Sequence, residues 1–138
     1  DPRRPAVETL LEFIHLALRS TRGAAIAIAD VQPRSGRVRF AGVGNVVSAA
    51  VTPDTCQRMV SLEGTVGHEL PTIRAFDYSL GPSGVLLMHS DGVRSQWRLD
   101  RYPGLLLRDP FLIAGVLYRD YGKGTDDATI LVARRTGA

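Results

Sequence analysis

The segment Val85-Leu86-Leu87-Met88-His89-Ser90-Asp91-Gly92 reads as a short apolar strand that runs directly into an acidic turn. Its unbroken run of bulky apolar residues suits a strand covered on both faces. Pro82-Ser83-Gly84 ahead of it supplies the turn that starts it. A second acidic turn, Asp126-Asp127-Ala128, leads into another apolar run, Thr129 to Ala133. If the two strands are antiparallel neighbours, the end of the first lies beside the start of the second. Asp91 and Asp126 then approach each other at one sheet edge. Carboxylates at strand ends offer the oxygen ligands that a hard cation such as Mg²⁺ or Mn²⁺ takes. A metal held there can activate a water and polarise a phosphoryl group. Either turn alone is a common polar loop; only the pair, in company with further motifs, points to chemistry.

Towards the N-terminus, Val7, Leu10, Leu11, Ile14 and Leu18 recur at the spacing of one apolar helical stripe. Pro5 suits the first turn and Gly23 the C-terminal end. Glu8, Glu12, His15 and Arg19 fall on the opposite face, which makes His15 a surface residue. After Gly23 the period changes to two. Ala24 to Asp30 is expected to be a strand covered on both faces, and Pro33-Arg34-Ser35-Gly36 a turn. Arg37 to Phe40 follows as the second hairpin strand, with Val38 and Phe40 inward.

Ala41-Gly42-Val43-Gly44-Asn45 interrupts this pattern, and Val46 to Val51, Cys56 to Leu62 and Arg74 to Leu80 read as further strands. Leu105 to Tyr121 reads as one or two helices broken near Pro110, with Phe111, Ala114, Leu117 and Tyr118 on a shared face. The order of helix, many antiparallel strands, helices and a closing strand is α+β.

Hydrophobic residues make up 44% of the 138 and charged residues 22%, a balance that supports one folded domain over 1–138 and argues against disorder. Cys56 is the only cysteine, so an internal disulfide framework and a CxxC zinc site are excluded. The arginines behind the net charge of +3 are scattered, unlike the patches of a nucleic-acid binder, and no nucleic-acid partner is expected. No apolar run has the length of a membrane span and the N-terminus lacks a signal-peptide core, so no membrane partner and a cytoplasmic location are expected. Gly42-Val43-Gly44-Asn45 does not match a Walker A loop, since no Gly-Lys-Ser/Thr follows; it suits a tight strand connection. His68 and His89 read as structural, and Trp97 as a packing residue.

Taken in order, GVGN (42–45), the loop Gly64-Thr65-Val66-Gly67, LLMHSDG (86–92) and DDATILV (126–132) resemble the SpoIIE-like branch of the PPM family, related to protein phosphatase type 2C. The resemblance spans about Gly23 to Ala133. It implies an antiparallel β-sandwich flanked by helices, with two Mn²⁺ or Mg²⁺ ions at one edge and metal-activated water attacking phosphoserine or phosphothreonine. Asp91 and Asp126 match metal ligands, and no catalytic residue beyond the ligands is implied. Gly44, Asn45, Gly92 and Asp127 match structural positions beside the site.

The family carries an earlier Asp-Gly motif whose aspartate bridges the ions. Here the only Asp-Gly is Asp91-Gly92, and Asp1, followed by Pro2, is not a match. The expectation is therefore a domain lacking its N-terminal strands, with an unpaired sheet edge open to homodimer formation. By analogy with the branch, the expected substrate is a phosphorylated STAS-type anti-sigma-factor antagonist in bacterial signalling. The alternative is an inactive regulatory domain of the same fold that binds such a partner.

Overall fold

In the computed structural model, which describes residues 2–137, the chain starts with helix α1 (Val7–Ala17) and a hairpin of β1 (Ile26–Val31) and β2 (Arg37–Val43). Asp1 lies outside the described residues. The hairpin turn is where Pro33-Arg34-Ser35-Gly36 predicts it, closed by the Gly36 N–H donating to Gln32 O at 2.8 Å. There follow β3 (Val47–Val51), β4 (Cys56–Arg58), β5 (Ser61–Leu62), β6 (Phe76–Ser79) and β7 (Val85–His89). Helix α2 (Pro110–Tyr121) and β8 (Ile130–Arg134) complete the chain, with two short 3₁₀ turns at Leu99–Arg101 and Leu105–Leu107 before α2.

Two four-stranded sheets result. In one, β2 is flanked by β1 on one side and by β5 and β6 on the other; the second runs β4-β3-β7-β8. All pairings are antiparallel except the two-residue β2–β5 contact. Strand alternation then sorts side chains into three cores. Val38, Phe40, Ala50, Met59, Leu80 and Leu86 fill the space between the sheets. Val7 and Leu11 of α1 cover Ala41 and Val43 on one outer face. Ile113 and Leu117 of α2, with Trp97, cover Ala49, Val51 and Leu87 on the other. The expected α+β sandwich flanked by helices is what forms. Each fully buried Leu or Phe contributes about 1.5–3 kcal/mol to holding these layers together.

Several local expectations are corrected. Strand β2 continues through Ala41-Gly42-Val43, and the break falls at Gly44, whose φ of +89° is one that favours glycine. β1 is half-buried along its whole length, because it lies at a sheet edge and is covered only in part. Cys56 to Leu62 is two strands in different sheets. The buried Met59 marks the crossing, its N–H still donating to Ser48 O on β3 at 2.8 Å.

In α1, Leu10 sits on the flank of the apolar stripe and is partly exposed. In α2 the sheet-facing residues are Ile113 and Leu117, supported by Val116 and Tyr121, whereas Phe111 and Tyr118 are 86% and 61% exposed. The helix is apolar on more than one stripe, so its sequence is compatible with either rotation; contact with Trp97 and Leu87 selects one. Asp109 fixes its start, accepting the Phe111 N–H at 2.8 Å as an N-cap ahead of Pro110.

Candidate metal centre

The β7–β8 ladder carries the two acidic turns to the same edge. Its register ends at His89 opposite Ile130, and the pairing continues past the strands: the Ser90 N–H donates to Thr129 O at 3.0 Å, and Ser90 Oγ accepts the Thr129 N–H at 2.9 Å. Gly92 lies flat against the second turn. A Cβ at position 92 would stand 2.0 Å from Asp127 O and 2.9 Å from Ala128 Cα, so only glycine permits this closeness without a backbone shift. The Asp91 loop and the Asp126 loop are thus held together by main-chain packing.

Asn45 enters from a third element. Gly44 turns the chain out of β2, anchored by its N–H to Leu62 O at 2.8 Å and by Ser61 Oγ donating to Gly44 O at 2.6 Å. That turn presents Asn45, whose Nδ2 donates to Asp91 Oδ2 at 2.8 Å. Asp126 is oriented differently: its Oδ1 accepts the Asp127 N–H at 2.9 Å. No hydrogen bond joins the Asp126 carboxylate to Asp91 or Asn45. Among the residues expected near the site, the structure therefore joins Asn45 to Asp91 directly and Gly92 to Asp127 by backbone contact. Gly44 acts one residue removed, as the turn that aims Asn45.

Asp91 opens onto a cleft of ≈ 440 Å³ that Asn45, Arg94, Ser95 and Lys123 also line. Arg94 and Lys123 were not singled out by the sequence, since neither belongs to a motif. Their placement is set by the end of α2: Lys123 N–H donates to Gly92 O at 2.9 Å, and Arg94 N–H to Tyr121 O at 2.8 Å. Arg94 Nη2 donates to Asp120 O at 3.0 Å.

Two carboxylates on exposed turns, each with one oxygen already oriented by a hydrogen bond, are the donor type a hard dication uses. Mg²⁺ is commonly held by one or two carboxylates, with water filling the remaining positions. Asp91 and Asp126 supply two carboxylates on turns fastened to each other, and no cluster of three or more His, Cys, Asp or Glu side chains suited to a metal occurs among the described residues.

The histidines are structural. His89 is buried; its Nε2 accepts the Trp97 Nε1–H at 2.9 Å and its Nδ1 faces Ser90 O at 2.7 Å. That pattern requires the neutral ring with its proton on Nδ1. Burial first, and the Arg58 guanidinium after it, push the His89 pKa down, against the opposing pull of the Ser90 carbonyl. Trp97 packs in the core as expected, with Arg58 stacked 3.9 Å over its ring. His68 bonds to Thr21 O. His15 is not a plain surface residue: its Nδ1 accepts the Gly67 N–H at 2.8 Å and so ties α1 to the Gly64–Gly67 loop.

No protein-family profile matches the sequence, and no curated protein does. Solved structures do match. A protein of the bacterial stressosome, described as a modular system adapted to control secondary messenger signalling, superposes with a TM-score of 0.82 at 24% identity, over 96% of this chain and 69% of that one. RsbX, solved in complex with magnesium, gives 0.78 at 17% identity, over 94% and 65%. The phosphatase domain of the cell-fate determinant SpoIIE from Bacillus subtilis gives 0.60 at 18% identity, over 98% and 74%. This chain spans about two thirds to three quarters of the length of those three. With the two helix-covered sheets and the paired acidic turns, these likenesses establish that the chain has the fold of the SpoIIE-like PPM serine phosphatase domains.

Proposed function

We propose that the chain carries part of a divalent-metal-dependent phosphoserine/phosphothreonine protein phosphatase centre, with Asp91 and Asp126 as ligands to one Mn²⁺ or Mg²⁺. The observation that carries the reading is the fastening of the Ser90–Gly92 turn to the Asp127–Thr129 turn, in a fold shared with phosphatase domains. A bound dication supplies Lewis-acid polarisation of the phosphoryl group and activation of water. Asn45 orients Asp91, and the Asp127 N–H orients Asp126. Gly44 and Gly92 allow the backbone approaches on which both depend.

The substrate we infer is a phosphorylated STAS-type anti-sigma-factor antagonist in a cytoplasmic bacterial signalling system. The kinship of fold with stressosome and RsbX structures supports a signalling role. A homodimer through a free sheet edge belongs to the same reading; β1 and β8 both end their sheets.

A second reading, a domain that binds such a partner without hydrolysis, is favoured by the absence of a third acidic ligand among the described residues. Mn²⁺-dependent phosphate release from a phosphoserine protein separates the two. Release by the wild type that is lost in Asp91→Asn is the expected result. Binding of the phosphoprotein with no release by either chain selects the second reading.

A further inference from the structure

We infer that Lys123 is the substrate-phosphate anchor of the Asp91 cleft, a role that rests on the phosphatase reading above. Asn45 and Asp91 line the cleft together with Arg94 and Lys123. The two cations are not equivalent. Arg94 is held down, its guanidinium donating to Asp120 O at the end of α2. Lys123 is exposed and takes part in no ion pair among the described residues, and its ammonium makes no hydrogen bond there.

Its backbone is fixed all the same. The Lys123 N–H donates to Gly92 O at 2.9 Å, and Gly122 pairs with Val93 across an isolated β-bridge. The residue next to Asp91 in the chain therefore holds Lys123 in place, while the long side chain is left to move over the cleft.

Charge explains what such a lysine is for. A phosphomonoester brings about −1.5 to −2 charges at neutral pH to a site whose chain-supplied ligands are themselves carboxylates. One dication offsets the Asp91 and Asp126 carboxylates but leaves the phosphate uncompensated. A free ammonium within the same cleft supplies the missing positive charge as a mobile point charge with three donors. It sets affinity for the phosphorylated over the unphosphorylated partner and leaves the fold untouched, since Lys123 packs in none of the three cores.

The test is calorimetric titration of a phosphoserine peptide, and of the same peptide unphosphorylated, into the full chain with Mg²⁺ present. It is run on the wild type, Lys123→Met and Lys123→Arg, beside phosphate release with Mn²⁺. Lys123→Met is expected to weaken the phosphopeptide about five- to tenfold. The unphosphorylated peptide and the melting temperature stay as they were, and Lys123→Arg recovers most of the loss. Equal phosphopeptide affinity in wild type and Lys123→Met overturns the anchor; if the wild type also releases phosphate, the phosphatase reading stands without it. A Lys123-dependent preference for phosphopeptide with no release under Mn²⁺ keeps the anchor and removes the hydrolytic reading. A wild type that does not tell the two peptides apart overturns the anchor whatever its turnover.

Discussion

Asn45 Nδ2 donates to Asp91 Oδ2 across 2.8 Å, joining the turn after β2 to the turn after β7. An amide that grips one carboxylate oxygen leaves the other aimed outward. Such partners behind a metal ligand typically account for 10–100-fold in metal affinity. Asn45→Ala is therefore expected to weaken Mn²⁺ binding by about tenfold or more. Its effect on stability should stay near 0.5–1.5 kcal/mol, because the bond lost is exposed. Asn45→Asp should do worse at low metal, since it sets a second carboxylate against Asp91. Mn²⁺ titration followed by electron paramagnetic resonance, with urea melts alongside, measures both quantities.

The contact of Gly92 with Asp127 makes a sharper prediction. A methyl at position 92 must displace backbone, because the nearest atom, at 2.0 Å, is a carbonyl oxygen. Gly92→Ala should cost about 1–3 kcal/mol and weaken the metal site with it, by parting the two turns. Gly115, inside α2 with nothing within 4 Å of a built Cβ, is the internal control. Gly115→Ala should instead stabilise by roughly 0.5–1 kcal/mol, through helix propensity alone. Urea denaturation of both variants checks the opposite signs; equal effects would show that the Gly92 contact is slack.

If one ion is held by two carboxylates, removing either should be as damaging as removing both. Asp91→Asn, Asp126→Asn and the double variant are expected to lose Mn²⁺ binding to the same extent, a strong non-additivity. Wild-type binding should saturate at about one ion per chain, as two carboxylates and water can hold. Equilibrium dialysis measures the stoichiometry. Two tightly held ions would mean that further ligands take part.

How far the sequence discloses this arrangement depends on the range of the interactions. Val85 to Asp91 and the Asp126 turn are legible because a strand-length apolar run and an acidic turn are local signals; their antiparallel adjacency is only a condition in the sequence, and the β7–β8 ladder meets it. Val38 and Phe40 are legible because a period of two fixes their face. The face of α2 is not, since the helix is apolar on more than one side and only Trp97 and Leu87 decide the rotation. The crossing at Met59 is hidden for a similar reason: the residues on either side are equally good strand formers, and pairing partners far away split them. His15 escapes because its role is to accept a loop N–H from Gly67, a contact that has no helical period. Arg94 and Lys123 reach the cleft through backbone bonds to Tyr121 and Gly92, which no motif encodes.

His89 and Trp97 make the stability of the domain pH-dependent in a stated direction. Because the buried ring is held neutral, with Nε2 as acceptor, its folded pKa lies below the ordinary value of 6.5. The unfolded chain therefore binds the proton first as pH falls. The stabilisation is complete above about pH 6.5 and is lost progressively below it, until the folded ring itself titrates. Urea midpoints, followed by the emission of Trp97, the only tryptophan, should fall between about pH 7.5 and pH 5 in the wild type. In His89→Gln, which keeps an acceptor for the indole N–H and has nothing to titrate, that slope should flatten. Trp97→Phe removes the donor and leaves a buried nitrogen unpaired, at a cost of about 1–3 kcal/mol beyond the packing lost around Arg58. An equal slope in wild type and His89→Gln would assign the pH dependence to the carboxylates instead. Asp120, drawn down to about 2 by Arg119 and then by the Tyr102 hydroxyl, loses its stabilising contribution only at far lower pH, as acid approaches that value.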